Sequence, residues 1–334
     1  MRRRAFFKSL IGATSSFGMV RHGYGGKKEA LIPTSVASGA PFSRVVLATE
    51  RGLSHGIRPV AEERIGNLLA RSIETLFEEN ADTVWRRLFH PEDVVGLKVN
   101  CLAGKGLSTR LELVNAVCEA LLQAGIKKHR IIIWDRADRD LERAGYSIER
   151  RKNRVQCFGT NKAGYTSRIY EHGYVGSQLS RIVTDYCSAI INLPVLKDHG
   201  IVGLSVGLKN FFGAINNPNK YHDNAGDPYV ADVNMLTPIR SKTRLTICDA
   251  ITPQYEGGPP YMPQWTWPMN SLLVSTDMVA MDQVGWDIVE EKRRENKFSS
   301  LAGAGREPVY INTAADAEHE LGTNNSAKIN VLKV

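Results

Sequence analysis

From Phe42 onward the chain alternates short apolar runs with amphipathic stretches, a pattern that predicts α/β layers with at least partly parallel sheets. Six runs read as strands: SRVVLAT (Ser43–Thr49), DVVGLKVN (Asp93–Asn100), RIIIWD (Arg130–Asp135), SAIINLP (Ser188–Pro194), RLTICD (Arg244–Asp249) and SLLVSTD (Ser271–Asp277). Apolar residues at helical spacing predict helices within Ala61–Asn80, over Leu111–Gly125 and from Met278 to Asn296. Ahead of the second, Thr109 and Glu112 have the spacing of a capping box, and Gly125 closes it. Segment 136–166 is polar, rich in Arg and Gly, and keeps no period, so it reads as an excursion or a connector. The expected architecture is two lobes of βα units, 42–174 and 175–334, with mixed, largely parallel sheets and a cleft between them.

Ligands of open α/β sheets gather beyond the carboxyl ends of the strands, which gives weight to polar residues directly after the apolar runs. Lys98 and Asn100, two apart, share one face of their strand. Lys197, Asp198 and His199 follow the run INLP, and Asp249 and Asp277 end two further runs. Asp277 is equally placed to cap the helix that follows, and Asp282 lies one turn further along it.

The stretch LPVLKDHGIVGLSVGLKNFFG (Leu193–Gly213) sets Lys197, His199 and Lys209 among apolar residues and glycines. Gly203, Gly207 and Gly213 allow close backbone approach to a ligand, while Phe211 and Phe212 anchor the segment. A desolvated Lys209 has a lowered pKa and suits covalent attachment; a protonated one clamps phosphate or carboxylate, with Asn210 beside it. The plain alternative for Lys197 and Lys209 is a surface lysine whose stem lies along apolar neighbours. His199 is a candidate general base or metal ligand, His222 beside Asp223 a second imidazole, and a hydrogen-bonded structural histidine is the alternative for each. The loop Tyr255–Pro268, rich in Gly, Pro and aromatics, reads as a lid or a rigid connector.

Composition adds little to this picture until the N-terminus is set apart. With 43% hydrophobic and 23% charged residues among 334, the chain is that of a folded globular protein. Arg3, Arg4, Ala5, Phe6, Phe7 and Lys8 fit the pattern of a twin-arginine export signal, followed by an uncharged run from Ser9 to Val20 that is too short to span a bilayer. An exported, periplasmic or extracytoplasmic protein is expected, with the export machinery as a partner and no stable membrane span. Met1–Ala37 holds seven Lys or Arg against Glu29, six of the eight net positive charges, so the body is too weakly basic for a nucleic-acid footprint. The five cysteines are far apart with no Cys-x-x-Cys, which argues against a zinc ribbon or an iron–sulfur cluster and for buried thiols.

On these residues the chain resembles the family catalogued as domain of unknown function 362. The matching pieces are GLKVN (Gly96–Asn100), LVNAVCEALLQAG, LPVLKDHGIVGLSVGLKNFFGAI, Tyr221–His222, the CDAI strand end, the Gly258–Pro259 loop and STDMVAMD (Ser275–Asp282). Val99 stands where that family often has proline and Asp198 where threonine is common. A more distant similarity is to the lactate racemase family, whose nickel-pincer nucleotide is attached to a lysine. His199, Gly203, Ser205, Gly207 and Lys209 fall at that family's offsets, whereas Leu204 and Val206 replace a Phe and a Gly. The resemblance implies a cofactor-side Lys209, a ligand-contacting His199 and His222 as a metal ligand. The expectation is an exported enzyme that binds an anionic small molecule or nucleotide-like cofactor and moves a proton or hydride, of racemase, epimerase or oxidoreductase type. The alternative is a non-catalytic anion-binding or accessory protein.

Overall fold

Among the described residues the chain forms twelve strands, most of them apolar runs flanked by turns: β1 (Ser43–Thr49), β2 (Val95–Val99), β3 (Ile131–Trp134), β4 (Gln156–Cys157), β5 (Tyr165–His172), β6 (Val175–Ser180), β7 (Ala189–Leu193), β8 (Val195–His199), β9 (Gly203–Ser205), β10 (Thr243–Gln254), β11 (Ser271–Ser275) and β12 (Ile329–Lys333). The structure is a computed structural model that describes residues 42–55 and 58–334. The expected export segment, 1–37, lies outside them.

β5 and β6 form a separate hairpin, and the others join one sheet in the order β12-β1-β11-β10-β7-β2-β3-β4, with β8 along the far part of β10 and β9 beside β8. Pairing is parallel for β12–β1, β10–β7, β7–β2, β2–β3, β3–β4 and β8–β10. It is antiparallel where β11 lies between β1 and β10, and at β8–β9. The fold is therefore mixed α/β with a largely parallel sheet. Because β7 bonds directly to β2, strands from both sides of Tyr174 share this sheet, and Tyr174 itself sits at the turn between β5 and β6.

Both faces of the sheet are covered, which is why its strands read as nearly continuous apolar runs. Along β2, Val95, Leu97 and Val99 enter one core cluster with α1 (Arg58–Phe77), α2 (Ala81–Leu88) and α3 (Leu111–Gln123). Ile190 of β7 enters the other cluster, with the helix Met278–Glu295. Each fully buried aliphatic side chain contributes roughly 1.5–3 kcal/mol. Strand alternation leaves Lys98 on the face opposite Leu97, and Asn100 follows two residues on.

Local sequence explains the helix ends, with two differences from expectation. The helix expected up to Asn80 stops at Phe77, and the Asn80 side chain accepts from the Asp82 N–H to start α2. Thr109 does not cap α3: its hydroxyl accepts from the Asn100 N–H at 2.9 Å and donates to the Leu193 carbonyl at 2.6 Å, so a long-range contact has taken the capping group. All five cysteines are buried free thiols. Among the described residues no helix is long and apolar enough to cross a membrane.

Candidate functional site

Three parallel strands, β3, β2 and β7, end side by side, and that edge holds the first part of the site. Lys98 stands opposite Trp134 on one neighbour and Asn192 on the other. Its ammonium donates to Asp135 Oδ1 at 2.8 Å, to the Val99 carbonyl at 2.6 Å and to Asn210 Oδ1 at 3.2 Å. An ammonium has three N–H donors, so Lys98 is saturated within the protein. Asp135 is equally occupied, accepting also from the N–H groups of Cys101 and Arg136 at 2.7 and 2.8 Å.

Side-chain amides carry the ordering outward from that pair. Asn210 Nδ2 donates to Asn192 Oδ1 at 2.8 Å, Asn192 Nδ2 donates to the Gly207 carbonyl at 2.8 Å, and Asn100 Nδ2 donates to Asn210 Oδ1 at 3.1 Å. The direction left for Asn100 Oδ1 is toward Lys197 Nζ, 2.9 Å away. That is the single hydrogen bond of the Lys197 ammonium among the described residues, and two of its N–H groups remain for a ligand.

β8 brings Lys197 and His199 in, and a short turn of helix, Gly207–Asn210, brings Lys209. The first two amides of that turn, Gly207 and Leu208, donate to the Asp282 carboxylate at 2.7 and 3.2 Å. Lys209 Nζ lies 3.2 Å from His222 Nε2 and 3.8 Å from the centre of the Phe212 ring. His222 Nδ1 is 2.9 Å from the Pro218 carbonyl, so that nitrogen carries the proton and Nε2 accepts from Lys209. His199 Nδ1 accepts from the N–H of Ile201 at 3.2 Å and of Val202 at 3.4 Å, which puts its proton on Nε2. Gly213 closes the wall: a Cβ there would sit 2.9 Å from both Asp135 Oδ1 and Lys98 Nζ.

These groups line a cavity of about 270 Å³. Four cations, Lys98, Lys197, Lys209 and Arg136, face it against Asp135 and Asp140, which favours an anionic occupant. Burial pushes the Lys197 ammonium down to about 8, against the pull of Asp135. Burial and then the charge of Lys197 push Lys209 down to about 7. Burial, Lys209 and His222 hold His199 at about 2, so it stays neutral at any ordinary pH. His222 is lowered by burial and by Lys209.

Lys98, Asn100, Lys197, His199, Ser205, Lys209, Asn210 and His222, all expected at the site, line this one cavity. Gly207 starts the short helix behind it, and Asp249 and Asp277 lie elsewhere. Asp249 accepts from the Arg110 N–H at 2.9 Å, and Asp277 caps the helix Met278–Glu295 through the Ala280 N–H at 2.9 Å, so both carboxylates are consumed by backbone. As it stands, His199 carries its proton on Nε2, which makes that nitrogen a donor, and burial with Lys209 and His222 keeps the ring neutral. His222 Nε2 accepts from Lys209, and its ring centre lies 5.4 Å from that of His199.

Asp135, Arg136 and Asn192 were missed, and Asp282, named only as lying on the helix after Asp277, holds the amides of the turn that carries Lys209. Asp135 carried a signal, an acid directly after the buried run RIIIW. The loop Tyr255–Pro268 is a connector more than a lid. Gly258 is tied to β8 by its N–H on Asp198 Oδ1 at 2.8 Å and by its carbonyl on the Gly200 N–H at 2.8 Å, and Pro259 reaches the cavity wall. Asp198 also pairs with Arg306 at 2.6 Å, which explains how a charged strand can be buried.

A crystal structure of a protein from Thermotoga maritima is similar at 10% identity with a TM-score of 0.43, over 71% of this chain and 59% of that one, so this chain spans less than two thirds of that protein. No curated protein matches the chain. The family model described as Domain of unknown function (DUF362) matches residues 95–287, more than half of the sequence and all the cavity lysines and histidines, and the chain belongs to that family.

Proposed function

We propose that the cavity binds a small anionic molecule, a carboxylate by preference, and that Lys209 acts on it as a general base in an isomerase-type proton transfer. The observation that carries this reading is Lys209 itself. Its amine is buried, 3.2 Å from an imidazole and without a carboxylate partner among the described residues, so near neutrality a large fraction is the free base. A lysine meant only as a fixed cation is normally paired, as Lys98 is with Asp135.

In this reading the Lys197 ammonium takes the substrate carboxylate, Arg136 at the mouth draws it in, and Lys209 removes a proton from the adjacent carbon. His222 Nε2 accepts a hydrogen bond from Lys209 and so orients its lone pair. The neutral His199 Nε2–H is a donor for the oxygen on which negative charge develops. The nickel-pincer nucleotide implied by the lactate racemase resemblance fits only in part. The amine of Lys209 is neutral enough to be acylated, but His199 presents a proton where a metal needs a lone pair, and no step is routed through that group. The N-terminal pattern supports export by the twin-arginine route, which carries folded passengers, and hence work outside the cytoplasm.

The test is a panel of small 2-oxo and 2-hydroxy carboxylates incubated with the protein in heavy water and read by proton NMR, with binding followed by thermal shift. Exchange of a carbon-bound proton by the wild type, lost in Lys209→Met and Lys209→Arg while Lys209→Arg still binds, is the expected result. Binding without any Lys209-dependent exchange would leave an anion-binding protein and remove the enzyme.

A further inference from the structure

Away from the cavity, the end of β5, the helix Tyr229–Met235 and the segment after the helix Tyr310–Ala314 bring His172, Asp232 and His319 together. None of the three lines the cavity. We propose that His172, Asp232 and His319 bind a zinc ion, with Asp316 holding His319 from behind.

The distances suit that ion. One ligand atom from each residue lies within 4.8 Å of the others. His319 Nε2 and Asp232 Oδ1 are 3.1 Å apart, and a tetrahedral zinc with bonds near 2.1 Å separates its ligand atoms by roughly 3.3 Å. The ion takes the place of the proton that these two atoms share.

The surroundings are those that metal-binding histidines have. Asp316 Oδ1 accepts from His319 Nδ1 at 2.8 Å and is itself fixed by the N–H groups of Glu318 and His319, each at 2.9 Å. A carboxylate behind a histidine keeps the proton on the far nitrogen and turns the near lone pair to the metal. Asp232 Oδ2 accepts from the Tyr174 N–H at 2.9 Å, which leaves Oδ1 for the ion. The backbone is shaped to this carboxylate: Gly173 has φ +50°, and a Cβ there would fall 2.3 Å from Asp232 Oδ1.

His172 is the independent observation. Its ring stands edge-on to His319 with centroids 5.7 Å apart, and neither ring nitrogen has a hydrogen-bond partner among the described residues. Hydrogen bonding explains Asp232 and His319 without a metal, but it does not explain a half-buried imidazole placed beside them unpartnered. Three protein ligands leave a fourth position for water, and the ion would staple the hairpin to the helix and to the C-terminal segment.

The experiment is calorimetric titration of the full-length protein, stripped with EDTA, with zinc chloride, repeated with cobalt(II) to read the visible absorption of a four-coordinate site. One equivalent of zinc is expected, weakened at least roughly tenfold by His172→Ala and by Asp316→Asn and unaffected by His222→Ala. His172 is half-buried at the end of β5, so its variant keeps the fold, which circular dichroism verifies. Absence of zinc uptake, uptake that survives His172→Ala within tenfold, or loss of uptake in His222→Ala each overturns the site. Lys209-dependent exchange is read separately, so failure here leaves the cavity reading standing.

Discussion

Lys209 Nζ and His222 Nε2 are 3.2 Å apart, and the second nitrogen of that imidazole is anchored on the Pro218 carbonyl. The lysine is thus held by a neutral acceptor that leaves its charge uncompensated. Anion binding reports that charge. Lys209 and Lys197 lose their protons near 7 and 8, so affinity for sulfate, whose own charge is constant, should fall as pH rises from about 6 to about 9. Calorimetry across this range should show a decline approaching tenfold per unit and proton uptake on binding; a flat profile contradicts the cavity electrostatics.

Stability should carry the same signature with a defined sign. The Lys209 amine falls from about 10.4 in an unfolded chain to about 7 when folded, so between these values the unfolded chain binds the extra proton and wild-type stability rises with pH. Lys209→Met removes that slope. In urea unfolding it should be more stable than the wild type at about pH 6, by a few kcal/mol at roughly 1.4 kcal/mol per unit, with the advantage shrinking toward about pH 10.

Lys98 and Asp135 are both buried, and removing either strands a charge. Lys98→Met or Asp135→Asn alone should cost about 3–5 kcal/mol, whereas the double variant should cost less than the sum. A double-mutant cycle in urea measures this directly; strict additivity would show that the pair is not coupled.

Asp282 behaves oppositely to Lys209. Burial pushes its carboxyl up to about 8 despite the two amides it accepts from, so the folded state binds the extra proton and the stability it contributes is present below about pH 4 and lost as pH rises through 8. Asp282→Asn keeps an acceptor for the Gly207 amide and should flatten stability over this interval, measured by thermal unfolding against pH.

How much of this was legible in sequence depended on where the partners of each residue lie. The Ile- and Val-rich runs around 43–49, 131–134 and 189–193 announced themselves because both faces are covered. Lys98 and Asn100 followed from strand ends and alternation. β8 was hidden, since Lys197, Asp198 and His199 were placed after the run INLP and in no strand; what buries Asp198 is Arg306, 108 residues away, and no local pattern encodes that. The Lys209–His222 contact spans 13 residues of irregular turns and has no period to read. Asp249 and Asp277 looked like site residues because strand-end acids serve equally to cap backbone, and a sequence does not distinguish the two uses.

The parallel pairing of β1 with β12 sets Ser43 opposite Ile329 and Leu47 opposite Lys333. During synthesis, the earliest strand of the sheet therefore waits for one of the latest pieces of chain. Until residues beyond 329 have left the ribosome, β1 has an open edge able to pair with any extended peptide, its own or another's. A chain cut just before β12 should therefore aggregate through that edge even though every cavity residue is already present.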